Sequence, residues 1–566
     1  MNVRRRCFFV ALAVAAASSA TQAQTNVVWD TSTAAGFQNG NGTWGTDNFW
    51  TSNTGGGTTL SGWIAGNNAW LGGNATVAAV PGGDFTITVS GTQTANTVRQ
   101  IQNGDGSFTL TGGELQTSSL RTDRGTMTVN SVVGTVGDGT SRVDFSAQPG
   151  TNAVLILGGN NTLTNPVGIA GASSGGGTVR LNHQNALGLG NSVRWFHNTS
   201  LDLNGYSISA KEIRVQDSRT GILVNSNATA VEWAGNVILD NGVATGFRAG
   251  GTAGEVEISG VISGSVANTV QSLDNGVLRL SGNNTYEALT SVRTGSTLIV
   301  GHENALGSTT SGTFIGTTGT LDLNGFNIGN EAVTFQQNSS RLVNSNASNA
   351  ANVSGNISFE QVGATREIGG VGSITLGGVI SSTTTGGFSK TGAGSLTLSG
   401  NNTYTGATAV NAGALLVNGS HSGTGLMSVA SGARIGGTGS LAGGLTIASG
   451  GLFVFNPLDP TLDVTGAVSL DSTFGVASLV NADGSSIDWG SVADSSYSLI
   501  GLTSSTFGSI TNFGPGAAAP IAVGRTAYFT NTTESGGLTL VVVPEPGALA
   551  LGLAGLGIAV WARRRK

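Results

Sequence analysis

The residues of this chain that could do chemistry are four histidines and a scatter of carboxylates. Polysaccharide-cleaving sites need paired or clustered carboxylates, often with calcium and a basic arginine or lysine. Here Asp202 lies in LDLNGYSIS and Asp322 in LDLNGFNIG, so the two occupy equivalent places in repeated words. That points to a role in every repeat, not to one active site. His183 in LNHQNALG and His302 in VGHENALG are likewise equivalent. His421 reads as one position out of register with them and His197 has no counterpart, so no three-histidine metal site is indicated. NADGSS at Asn481 and NGDG at Asn103 read as turns, because the spacing of a calcium loop is missing. Neither a nucleophile elbow nor a phosphate loop is evident. The single cysteine, Cys7, falls in a leader-like stretch, which removes disulfides, thiolate catalysis and cysteine metal sites from the body. The sequence therefore assigns no catalytic, cofactor-binding or metal residues and reads as non-enzymatic. The alternatives are a carbohydrate-active β-helix enzyme (a lyase or hydrolase) and a carbohydrate-binding surface protein.

The elements that hold these residues are repeats. LSGNNTYTGATAVNAGALLVNG at 398–419 echoes LSGNNTYEALTSVRTGSTLIVG at 280–301, and a looser copy begins at Leu157 with LGGNNTLTNPVGIAGA, within 157–180. The Asn-Asn-Thr triplets start at Asn160, Asn283 and Asn401, 123 and 118 residues apart. LVNSNA at Leu223 returns at Leu342, and GVIS at Gly260 returns at Gly378. A unit of about 120 residues has been duplicated.

Short runs of period two, such as FTITVSG, FTLTGGELQ and VLILGGNN, end in glycine or asparagine and read as strands. The 290 residues between Pro166 and Pro457 contain no proline, which implies that backbone donors are committed to a continuous ladder. Amphipathic helical patterns are absent from the body. The fold expected is all-β: a right-handed parallel β-helix (solenoid) with coils of roughly twenty residues, five or six to each duplicated unit. Leu396, Leu398, Val410 and Leu416, matched by Leu278, Leu280, Val292 and Leu298, are assigned inward, and Asn401 and Asn402 to a corner. The expected divisions are a tryptophan-rich amino-terminal cap at 24–83, a solenoid at 84–450 and a β-rich closing cap at 451–543, where prolines return. Five of the nine tryptophans (Trp29, Trp44, Trp50, Trp63 and Trp70) lie in the first cap, with a sugar-binding platform as the alternative reading.

Both ends read as addresses. Residues 1–23 have the basic start, apolar run and small-residue end of a secretory signal peptide, cleaved after Ala23. Without residues 1–23 and 544–566 the body carries 17 basic and 29 acidic residues, which disfavours nucleic acid as a partner. At the other end Val-Pro-Glu-Pro precedes an uncharged stretch at 547–561, ~22 Å long as a helix and so a short membrane span. Trp561 and the basic cluster Arg563, Arg564, Arg565 and Lys566 would mark its cytoplasmic side. This layout resembles the PEP-CTERM sorting signal of Gram-negative bacteria, with Pro544, Glu545 and Pro546 as the matching positions. The resemblance implies an exosortase as partner, transient anchoring in the inner membrane, and delivery to the cell surface or extracellular matrix. A plain membrane anchor is the alternative.

The phrase at 398–419 is similar to the autotransporter-associated β-strand repeat of bacterial passenger domains, as is 280–301, whereas Pro166 interrupts the copy near 157–180. The outer-membrane barrel that usually accompanies that repeat is not seen. The function expected is a non-enzymatic, exported scaffold for adhesion or for association with biofilm exopolysaccharide, without a cofactor.

Overall fold

The computed structural model describes residues 24–545, apart from 58, 74–82, 102–105, 149–152, 172–175, 196–198, 217–219, 240–245, 337, 362–365, 460, 502–504, 506, 508 and 532–536. The signal stretch at 1–23 and the apolar stretch at 547–561 with its basic end therefore lie outside the described residues. The chain is an all-β solenoid of about 16 turns, without a closed barrel among the described residues.

Alternation builds each strand. Thr297–Val300 and Ser395–Leu398 each point two side chains in and two out, and the inward ones join one core that runs from Val27 to Val542. Strands stack parallel on the strand one coil away. Leu278 faces Leu298, Leu298 faces Leu321, Leu321 faces Leu342 and Leu342 faces Ile368. These partners are 20, 23, 21 and 26 residues apart, so coil length varies.

Three such stacks make the three faces of the body, and the duplicated unit does not close on a whole number of coils. Following one stack, Ser200 leads to Ile222, Arg248, Gln271, Ser291 and then Phe314. Five coils thus end at Phe314, whereas Thr320, the repeat equivalent of Ser200, pairs with Thr297 in the next stack. Each unit is five coils plus one face. Successive copies of the same words are consequently turned by one face about the axis.

The abundance of glycine has a local cause at one corner. At Gly355, Gly378, Gly400, Gly419 and Gly439 an added Cβ would sit 1.9–2.2 Å from a carbonyl oxygen of the coil before. Backbone rests directly on backbone there, which only glycine allows.

The assignment of Leu416 to the core is corrected. Leu415 is fully buried and Leu416 is half-exposed, so the inward equivalent of Leu298 is Leu415. Two adjacent leucines satisfy either phase of a period-two pattern, and a slip of one residue exchanges the faces. The other inward assignments, Leu278, Leu280, Val292, Leu298, Leu396, Leu398 and Val410, are buried.

At the start of the body Trp29, Trp44 and Trp50 are fully buried and pack on one another and on Trp63, with ring centroids 4.7–5.2 Å apart. The rings of these four are spent on each other, whereas Trp70 is half-buried with the Arg99 guanidinium 5.5 Å from its ring centre. At the far end the strand Ser496–Gly501 stacks parallel on Leu462–Val464 and then pairs antiparallel with Gly537–Pro544. Gly537–Pro544 pairs in turn with Arg525–Asn531. This antiparallel sheet covers the last coil and its strand edge. Pro544 is the last residue of a paired strand, opposite Arg525. Proline is tolerated at that terminus because the ladder asks no further donor of it; the next N–H, of Glu545, donates to the Gly524 carbonyl at 2.8 Å.

Candidate functional site

The repeated Asn-Asn-Thr phrase is a clamp between coils. In the second copy the buried Asn284 side chain accepts from Ile262 N at 2.8 Å and donates to Ala305 O at 2.6 Å, tying three coils together. Asn161 makes the same bonds with Val133 N (2.7 Å) and Ala186 O (2.6 Å). The outward neighbours form rungs: Asn185 donates to Asn160 at 2.8 Å, Asn304 to Asn283 at 2.9 Å, and Ser420 to Asn401 at 2.8 Å. Asn401 and Asn402 are thus at a corner, one facing out and one in. Inside, the Tyr286 and Tyr404 hydroxyls pair with Thr290 and Thr408 at 2.8 and 2.7 Å. Every polar atom in the phrase that enters the core has a structural partner, as burial demands.

The candidate chemistry resolves the same way. Asp202 is buried, bridges to Arg180 at 2.8 Å and accepts from the Ser226 hydroxyl at 2.7 Å and from the Asn204 and Ser226 amides. Asp322 accepts from the Asn324 and Ser345 amides at 2.9 and 3.0 Å. Each aspartate pins a turn to the coil after it. The His183 and His302 Nδ1 atoms each accept a backbone amide two residues on, from Asn185 and Asn304, both at 3.0 Å. In the NADGSS stretch the Asp483 carboxylate takes both the amide and the hydroxyl of Ser485, an ordinary Asx turn. Among the described residues no group of three histidines or carboxylates could hold a metal. His197 and the NGDG stretch lie outside the described residues, in whole or in part.

His421 departs from this pattern. By rung and bridge it stands where Ala305 stands in the second copy, not one position from His302. Its ring is buried, stacks on Tyr404 with centroids 4.2 Å apart, and neither nitrogen has a hydrogen-bond partner. Burial pushes its pKa down from 6.5. Asn402, which still accepts from Ile380 N at 2.9 Å, turns its donor back to Gly400 O at 3.1 Å instead of reaching the next coil.

Buried charges were not legible in the sequence. Lys390 is fully buried with its Nζ donating to the carbonyls of Thr391, Gly392 and Ala412 at 2.8–3.0 Å, and burial lowers its pKa to about 8. Arg366 is also buried, with its guanidinium 4.8 Å from the Phe359 ring centre. Glu331 accepts from the Thr313 hydroxyl at 2.6 Å, and burial raises its pKa to about 7. The repeat equivalent of Glu331 is Lys211, whose Nζ donates to the Gly188 carbonyl at 2.9 Å.

One cleft of about 360 Å³ opens beside the last coils, between Leu416 and Asn481. It lies where the third copy lacks the turn that HENALG forms in the second. The signal was present in the sequence, as the divergence of VNGSHSGTG from VGHENALG.

Fold and site together define a β-solenoid repeat protein. The chain matches the family described as the passenger-associated-transport-repeat over residues 273–300 and 388–417. It matches the PEP-CTERM protein-sorting motif over residues 542–566. The first match covers the second and third copies of the clamp phrase or the strands leading into them. The second begins inside the paired strand that ends at Pro544, and points to export and a surface or extracellular location. Of the three motif positions, Pro544 and Glu545 are described; Pro546 and the basic cluster at 563–566 are not. No curated protein matches the chain.

Proposed function

We propose that this protein is a non-catalytic scaffold of the cell surface or extracellular matrix, processed by an exosortase at its carboxy-terminal tail and engaged in adhesion or exopolysaccharide association. The observation that carries the reading is the sorting motif grafted directly onto the sheet that closes a continuous solenoid. Removal of residues after Glu545 would leave that sheet whole, so the body can be released folded. The non-catalytic part rests on Asp202 and Asp322, whose oxygens hold turns.

The geometry changes how such a scaffold would work. Because each unit advances by five coils and one face, its copies do not line up on one side. Adhesion therefore rests on local features of single coils and not on a repeated row of identical contacts. Deletion of residues 544–566, followed by fractionation of the producing cells, tests the address. The expected result is loss of the protein from the surface fraction into the periplasm or medium; unchanged surface retention would contradict it.

A further inference from the structure

The third copy of the unit differs from the second in a way that leaves a surface unexplained. After Val300 the second copy makes the His302–Gly307 turn, in which Asn304 reaches back to Asn283. After Val417 the third copy passes to the next face through Asn418 and Gly419 alone. In the next coil Thr438 stands at the same corner in a similarly short passage, in the coil after that Asn456 opens a longer connection from Val454 to Leu462, and the following coil brings Asn481 to the same corner. Four polar side chains thus follow one another along the axis, about 4.8 Å apart per coil. Leu416, turned outward, supplies an apolar wall, and the exposed Asp459 a carboxylate.

Their hydrogen-bonding capacity is only partly used. Asn418 Oδ1 accepts from Thr438 N at 3.4 Å, and Asn456 Oδ1 accepts from Leu458 N at 3.1 Å, which leaves both amide NH₂ groups available. Asn481 spends its NH₂ on Ser485 and Ser486, which leaves its Oδ1. The cleft therefore offers two donors, an amide acceptor, a hydroxyl and a carboxylate around an apolar wall. Vicinal hydroxyls, each both donor and acceptor, match that set, and the C–H face of a sugar ring matches Leu416. Among the described residues no lysine or arginine lines the cleft, and the body is acidic, so a polyanionic chain would be repelled.

We propose that the cleft between Leu416 and Asn481 binds a neutral glycan chain laid along the solenoid axis. This rests on the surface-scaffold reading and gives it a specific contact. The test uses the full-length chain in detergent, run by affinity electrophoresis through gels containing a neutral β-glucan or galactomannan, with alginate as the polyanion. The expected result is retardation by a neutral polymer and not by alginate. The double variant Asn456→Ala/Asp459→Ala should weaken that retardation at least about tenfold. Thr438→Trp, which fills the cleft from an exposed position, should do the same. Melting temperatures should not move, and Glu303→Ala on the turn of the second copy should bind as wild type. Equal retardation of wild type and both cleft variants, or no retardation by either neutral polymer, overturns the proposal. Surface fractionation of the double variant separates the two readings: unchanged location with lost binding supports the cleft, whereas a tail-deleted chain that stays on the surface defeats the sorting reading whatever the gels show.

Discussion

The second and third copies of the duplicated unit share most of their words and differ in what the corner does next. In the second, Asn284 joins three coils and the HENALG turn seals the outside. In the third, the Asn402 side chain joins only two and its backbone alone bridges to the next coil, His421 replaces an alanine without a hydrogen-bond partner for its ring nitrogens, and a cleft opens alongside. The frame is the same and the fittings differ. Repeat architecture fixes backbone stacking and inward side chains, and leaves corners free to diverge.

Changes to the shared frame should therefore be severe in both copies. Gly282→Val and Gly400→Val each place a Cβ within 2.2 Å of a carbonyl in the previous coil. Each should lower stability by about 3–5 kcal/mol, read by denaturant unfolding of the local coils. A near-neutral result at either site would break the claim that backbone contact dictates glycine at this corner.

Glu331 distinguishes the second copy from the first, where Lys211 occupies its place. Its pKa is raised from 4.5 to about 7 by burial, so the folded state keeps a proton that the unfolded chain has released. Its contribution is fully present below pH 4.5, is lost as pH rises, and is gone above about 7. Glu331→Gln should retain the Thr313 bond, flatten that dependence and gain about 2–3 kcal/mol at pH 8. Thermal melts across this range check it.

The clamp asparagines sharpen the comparison further. Asn284→Ala orphans the Ile262 amide and leaves the Ala305 carbonyl only the long 3.4 Å bond from the Tyr286 hydroxyl, whereas Asn402→Ala orphans one donor in another coil. The first should be the more destabilising by about 1 kcal/mol. Equal losses would mean that the third copy has not loosened.

The smallest effect is expected at His421. Its pKa lies below 6.5, so the unfolded chain takes up a proton first, and stability falls as pH drops below 6.5. His421→Ala, which restores the residue of the second copy, should remove that acid sensitivity and change stability at pH 8 by less than about 1 kcal/mol. Melting at pH 5 and pH 8 tests both parts.

Much of the frame was legible in the sequence because its signals are repeated. Period-two runs, the proline-free interval and the duplicated words all pointed to stacked strands, and the structure has them. The phase at Leu415 and Leu416 was not legible, because adjacent leucines fit both faces. The extra one-third turn per unit was hidden by coil lengths of 20–26 residues, which no single period describes. Lys390, Arg366 and Glu331 sit at inward positions that composition would give to leucine or valine, and only their partners reveal why they are tolerated. The cleft was legible only as a missing turn. The tryptophans were legible as aromatic mass, yet their mutual packing depends on chain folding within the first coils.

On the function proposed above, the body is a scaffold and the two ends are its addresses. Intact-mass spectrometry of the protein recovered from the cell surface tests that most directly. The account predicts a chain that starts at Gln24 and has lost the apolar stretch and basic cluster that follow Glu545. A surface-located chain that still ends at Lys566 would contradict it.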